Sequence, residues 1–303
     1  MPLIGTIANA SARGFGGLRT FVQLPTGGDE VKTVGSYRYH FFTSNGSLVV
    51  PASRNIEIIS CGGGGGGGQR IAGGGGGAEL DILVAVNNAV GTYTVTVGNA
   101  GAGSTTDNVR GSQGGTSSFA LGGTTYVTSL GGGGGGSGSS GEIAGGTGGS
   151  GGGGTFYGGN GGTASGSNTN AGGNGVADKA GGGGGGATAV GNAGTTVNTN
   201  PNSQGGQGYT LTSIDSNLTA ANFTSLTGMT VICSGGGGAR FGAVGGTSVA
   251  VGGTGGGDGG FGTTPTPPTA GVSFGSGGGA GAWETPRSGA NGKQGVVIVR
   301  YAV

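Results

Sequence analysis

The chain has 303 residues, and 89 of them are glycine. Charged residues make up 8% and the net charge is +1, which leaves no dense Lys/Arg face for nucleic acid and no charge excess of the kind that drives disorder. No apolar stretch reaches the ~18 residues of a membrane span, and Met1-Pro2-Leu3-Ile4-Gly5 lacks the basic and apolar regions of a signal peptide.

Residues 1–34 are small and weakly apolar, and read as an N-terminal arm that docks on something larger. Residues 35–130 are strand-rich. Tyr37, Tyr39 and Phe41 alternate with Arg38, His40 and Phe42, and Asn45-Gly46 predicts a tight hairpin returning through Leu48-Val49-Val50-Pro51. Further strands are expected over 55–60, 79–86 and 92–97, the last with Tyr93, Val95 and Val97 on one face. Residues 117–121 and 124–128 are weaker strand signals. Helical signal is nearly absent; 213–226, with Ile214, Leu218 and Ala221 in a stripe, predicts one short helix. Gly295-Val296-Val297-Ile298-Val299-Arg300-Tyr301 is a strong strand within a closing segment, 295–302, placed to pair with the early strands.

Between the strands lie glycine runs at 62–68, 73–77, 131–136, 151–154, 181–186 and 235–238. Residues 56–68 (IEIISCGGGGGGG) and 229–238 (MTVICSGGGG) echo one another as apolar strand, cysteine and glycine run. Cys61 and Cys233 read as two small buried thiols, with a disulfide between them as the alternative. Collagen is excluded, because it needs strict Gly-X-Y and abundant proline. Ordering a six-glycine run costs on the order of 10 kcal/mol, and each hydrogen bond returns about 1 kcal/mol net. A run bonded on one side therefore loses, and a run bonded on all sides comes near balance. The expected fold is all-β: an antiparallel β frame combined with a packed bundle of polyglycine-II helices over 131–290. A six-residue run spans about 19 Å, and the segments between runs, such as 155–180 and 188–207, are expected to emerge as loops at the two ends.

Chemistry is thin. G-x-G-x-x-G recurs as this glycine content requires. Gln294 stands where a P-loop after Gly292-Lys293 needs Ser or Thr. One histidine, His40, builds no His-based metal site. Glu79 and Asp81 share a strand face, as a glycosidase pair could, but read as a solvated face. The chain is expected to be no enzyme and to use no metal or cofactor.

Taken in order, 39–51 (YHFFTSNGSLVVP), 56–68, 92–98 (TYTVTVG), 114–119 (GGTSSF) and 295–301 (GVVIVRY) resemble the glycine-rich domain of bacteriophage tail-fibre adhesins and related virion proteins. The resemblance covers roughly 35–303. It implies a virion protein assembled in the host cytoplasm and exposed on the particle, with tip loops contacting a host surface glycan or outer-membrane protein. On that reading Ile4, Ile7, Arg13 and Phe15 attach the arm to other virion proteins, and homotrimers are an option. Phe156, Tyr157, Asn160, Tyr209 and Trp283 are the receptor-binding candidates, because aromatics anchor binding surfaces; the alternative is that they cap the bundle ends against water. A decoration or filament-forming protein without receptor binding is the second reading. An ice-binding protein is the third, disfavoured by threonines without regular spacing.

Overall fold

The computed structural model describes residues 23–195, 203–240, 250–261, 266–283 and 287–303. Ile4, Ile7, Arg13 and Phe15 lie outside the described residues. The elements are β1 (Glu30–Val34), β2 (Tyr37–Phe42), β3 (Gly46–Cys61), β4 (Leu80–Thr96), β5 (Ser117–Leu121), β6 (Thr124–Ser129), β7 (Tyr209–Thr210), α1 (Leu211–Ile214), β8 (Val231–Ile232) and β9 (Val296–Ala302). Seven strands form one antiparallel sheet in the order β1-β2-β9-β3-β4-β5-β6, and β7 pairs with β8.

The apolar run of β9 decides this order. Val296 and Ile298 enter one core cluster, and Val297, Val299 and Tyr301 enter another. A strand apolar on both faces belongs inside a sheet, and β9 lies between β2 and β3, pairing Phe41 with Ile298 and Ile58 with Val299. The expected β2–β3 hairpin is therefore not formed. Neither Asn45 nor Gly46 has positive φ. Residues 43–45 instead cross over the end of β9. There Asp29 accepts the N–H groups of Thr43 and Ser44 at 2.7 and 3.0 Å, and Asn45 accepts from Val97 N–H at 2.8 Å.

The two clusters are built differently. One is made almost wholly of sheet residues, including Phe42, Leu48, Ile58, Tyr93, Phe119 and Val127, so the sheet curls over its own face. Tyr93 stacks on Phe119 at 4.6 Å. The other joins Tyr39, Phe41, Ile59 and Leu80 to Leu211, Leu218, Phe223 and Leu226 from the excursion between β7 and β8. The helix expected over 213–226 is replaced by the single turn α1 and a 3₁₀ turn, Thr224–Leu226. Asp215 leaves the helix with φ −155° because its carboxylate is drawn to Tyr39 and Arg300. Ala221, expected on the apolar stripe, is exposed, and Phe223 is buried.

The chain between strands repeatedly leaves the sheet and returns. From Cys61 it runs out through 62–68, reverses at 69–72, and comes back through 73–77 to β4. The N–H groups of Gly65 and Gly68 donate to Gly76 and Gly73 across this reversal. Gly63 and Gly66 donate to Gly115 and Ser112, and Gly64 and Gly67 to Lys293 and Ala290. Every third residue thus addresses the same neighbour. Run 73–77 is bonded to 62–68, 131–136, 150–155, 181–186, 234–239 and 276–281 on its successive sides.

Glycine purity follows position. A Cβ on Gly75 would overlap the carbonyl of Gly65, and one on Gly65 that of Gly133. The outer segments carry mixed sequence: Gly98, Gly101 and Ser104 are buried while Asn99, Ala100 and Ala102 are exposed. The insertions expected as loops in fact supply outer segments at 159–162, 170–175, 191–195 and 203–207, each bonded main chain to main chain. Their Asn and Gln residues mark outward positions, not departures from the block.

Candidate functional site

The end of the glycine block remote from the sheet is built on the 69–72 reversal. Arg70 and Ile71 reverse the chain with φ of 62° and 42°, a conformation that is unusual for a β-branched residue. Ile71 is nonetheless fully buried, with Ala72, Phe156, Ala239 and Ala280. Phe156 N–H donates to Ile71 O at 3.1 Å, and Ala239 N–H to Ala72 O at 2.9 Å. Tyr157 meets the Phe156 ring edge-on at 4.6 Å. The Arg70 guanidinium lies 4.5 Å above the Trp283 ring and 3.7 Å from Asp107.

Three of the sequence-predicted binding residues therefore meet here. Phe156 is buried, whereas Tyr157 and Trp283 flank the cluster half-buried. Asn160 is exposed on the adjoining outer segment, where its carbonyl accepts from Gly145 N–H. Tyr209 is not brought to this end. It pairs with Ile232 and packs against the sheet-side cluster. Arg70, Ile71 and Asp107 escaped the sequence reading. The only available signal was that Gln69-Arg70-Ile71-Ala72 interrupts two glycine runs. Such a platform, with ring faces and a guanidinium, can stack on an apolar sugar face and hydrogen-bond to hydroxyls.

A second polar cluster lies at the sheet. Tyr39 Oη donates to Asp215 Oδ2 at 2.6 Å, Asn217 Nδ2 donates to Tyr39 Oη at 2.9 Å, and Arg300 pairs with both Asp215 and Glu57. The Arg300 guanidinium also covers the Tyr37 ring at 4.5 Å. Burial and the Asp215 hydrogen bond push the Tyr39 hydroxyl up to about 12. Burial opposes ionisation of Asp215, but hydrogen bonds from Tyr39, Asn217 N–H and Arg300 outweigh it and hold the carboxyl below its ordinary 3.8. Every partner is engaged, so the cluster clasps the β7–β8 excursion to the sheet.

The expected solvated face of Glu79 and Asp81 is not found. Glu79 is buried and accepts the N–H groups of Leu130 and Ser167 at 2.9 and 2.8 Å. Asp81 accepts from Ser129 Oγ at 2.7 Å, and burial raises its carboxyl. Glu79, just before β4, takes main-chain N–H groups from segments beside the glycine block, whereas Asp81 ties β4 to the Ser129 hydroxyl on β6. His40 is buried, held by Gly27 O at 2.6 Å and Tyr301 Oη at 3.3 Å; burial pushes its pKa down. Cys61 and Cys233 are buried free thiols. A Cβ on Gly275 would lie 3.1 and 2.9 Å from their sulfurs, so the echo between 56–68 and 229–238 is a spatial pairing. Among the described residues no group of His, Cys, Asp and Glu is placed to hold a metal, and no helix is long and apolar enough to cross a membrane.

A family model described as a glycine-rich domain matches residues 43–302. No curated protein matches the chain.

Proposed function

The chain belongs to the glycine-rich domain family, and on that premise we propose that it is a non-catalytic virion protein of a bacteriophage, a tail-fibre or tail-tip adhesin. The glycine block is read as a bundle of polyglycine-II helices, supported by donation to the same neighbour at every third residue. The bundle is a stiff stalk whose remote end is presented outward. The observation that carries the reading is the convergence of Arg70, Trp283, Tyr157 and Phe156 at that end. The ligand class it suits is a host surface glycan or an outer-membrane protein loop. The N-terminal arm is the attachment to other virion proteins, and the localisation is the particle surface.

The test is adsorption. Purified protein is added to candidate host bacteria before phage challenge. Surface binding and reduced adsorption are expected, both weakened by Trp283→Ala. A protein that neither binds cells nor protects them is a decoration or filament-forming protein instead.

A further inference from the structure

Among the described residues the glycine block has one place where its own pattern stops. Around run 73–77 lie 62–68, 131–136, 150–155, 181–186, 234–239 and 276–281. Each is in turn flanked by outer segments. Run 62–68 has 98–104, 111–115 and 288–294; run 150–155 has 145–149, 159–162 and 170–175; run 276–281 has 257–261, 266–271 and 288–294. Run 131–136 is the exception. Among the described residues its outer neighbours are only 111–115 and 145–149. The missing segment is a corner of the hexagonal arrangement that the other runs complete.

The hydrogen bonds mark the same gap. Gly132, Gly133, Gly135 and Gly136 donate to Gly63, Ser150, Gly66 and Gly153. Gly131 and Gly134 are buried, yet their N–H groups donate to nothing among the described residues. Three residues apart, they face one side. A groove of about 300 Å³ lies there, lined by Arg110, Ser112, Gln113, Gly134, Gly146 and Thr147. At its remote end Arg110 pairs with Glu142 at 3.3 Å, and among the described residues Arg110 Nε has no hydrogen-bond partner. Near the sheet the Gln113 amide reaches the Gly131 carbonyl at 3.4 Å. Main-chain donors that meet no acceptor among the described residues, three residues apart, are spaced for an acceptor repeating about every 9 Å.

We propose that this groove docks an extended glycine-rich segment of another polypeptide, laid alongside the block as its missing corner. Its carbonyls accept from Gly134 N–H, and from Gly131 once Gln113 turns aside. The segment needs a small residue at every third position, facing inward, and tolerates side chains between. The occupied corner at 98–104 has this pattern in Gly98, Gly101 and Ser104. The groove is thus a lateral assembly surface, independent of what the remote end binds.

The probe is the synthetic peptide Gly-Asn-Ala-Gly-Ala-Gly-Ser, the sequence of residues 98–104, added to the full chain. Hydrogen exchange is followed by mass spectrometry in the fragment covering 130–137. Saturating peptide is expected to slow exchange at Gly131 and Gly134 about tenfold, and Ser112→Trp, which fills the groove from an exposed position, is expected to abolish the effect. A Val-for-Gly version of the peptide is expected to do nothing. Unchanged exchange in the native chain overturns the proposal. So does protection already present without peptide, because the groove is then filled, and so does protection that grows only with protein concentration, which assigns the groove to a second copy.

Discussion

The sheet and the glycine block satisfy the same backbone groups by opposite means. In the sheet, side chains such as Tyr93, Phe119 and Ile58 supply burial, and hydrogen bonds run in one plane to two neighbouring strands. In the block the side chains are gone, and hydrogen bonds leave each run in several directions. A sheet is therefore damaged by taking atoms away, and the block by adding them.

The largest expected effect tests that contrast at its extreme. Gly75→Ala adds one methyl group where the Gly65 carbonyl already stands. Main chain cannot swing aside as a side chain can, so the loss is expected to exceed the ~4–5 kcal/mol that bounds ordinary substitutions. Thermal unfolding of the purified variant checks it; a fall in Tm of only a few degrees breaks the comparison. On the sheet side the equivalent is deletion. Phe223→Ala empties a fully buried site that contacts Tyr39 and Phe41 at ring distances of 5.1 and 4.6 Å. A loss of about 3–5 kcal/mol is expected in denaturant unfolding.

The clasp between the two regions responds to pH. Asp215 has its folded pKa held below 3.8, so its contribution is present above the unfolded value and is lost as pH falls through the folded one. The Tyr39 hydroxyl is pushed up to about 12, so its contribution is intact below 10 and lost as pH rises from 10 to 12. Asp215→Asn is expected to cost about 2 kcal/mol at neutral pH and to flatten the acid limb below about pH 4. Unfolding midpoints across pH for the two proteins read both. The smallest effect sharpens the comparison within the block: Ala102→Asn, at an exposed outward position, is expected to stay within about 0.5 kcal/mol, as Tm will show.

Much of the sheet was legible in advance because strand alternation is local. Tyr93, Val95 and Val97 declare a face through their spacing alone. The hairpin at Asn45-Gly46 was misread because a turn dipeptide says nothing of a strand arriving from the far end of the chain to separate its arms. Residues 213–226 were misread for a related reason: Asp215 and Phe223 take their places from Arg300 and Tyr39, which are remote in sequence. At the remote end, Phe156, Tyr157 and Trp283 were visible as isolated aromatics in a glycine background. Their meeting with Arg70 was not, because no short-range pattern relates those positions.

The sequence by itself determined the period of two in the strands and the runs of bare glycine between them. It also paired two cysteine-led runs by their likeness. Tertiary structure alone decided which runs became central, where β9 inserted, that Glu79 went inside, and that, among the described residues, no segment fills one corner beside 131–136. The physical reason is the reach of the bonds. An extended glycine segment makes no hydrogen bonds to itself, so each partner must come from elsewhere in the chain, and only the assembled block says which.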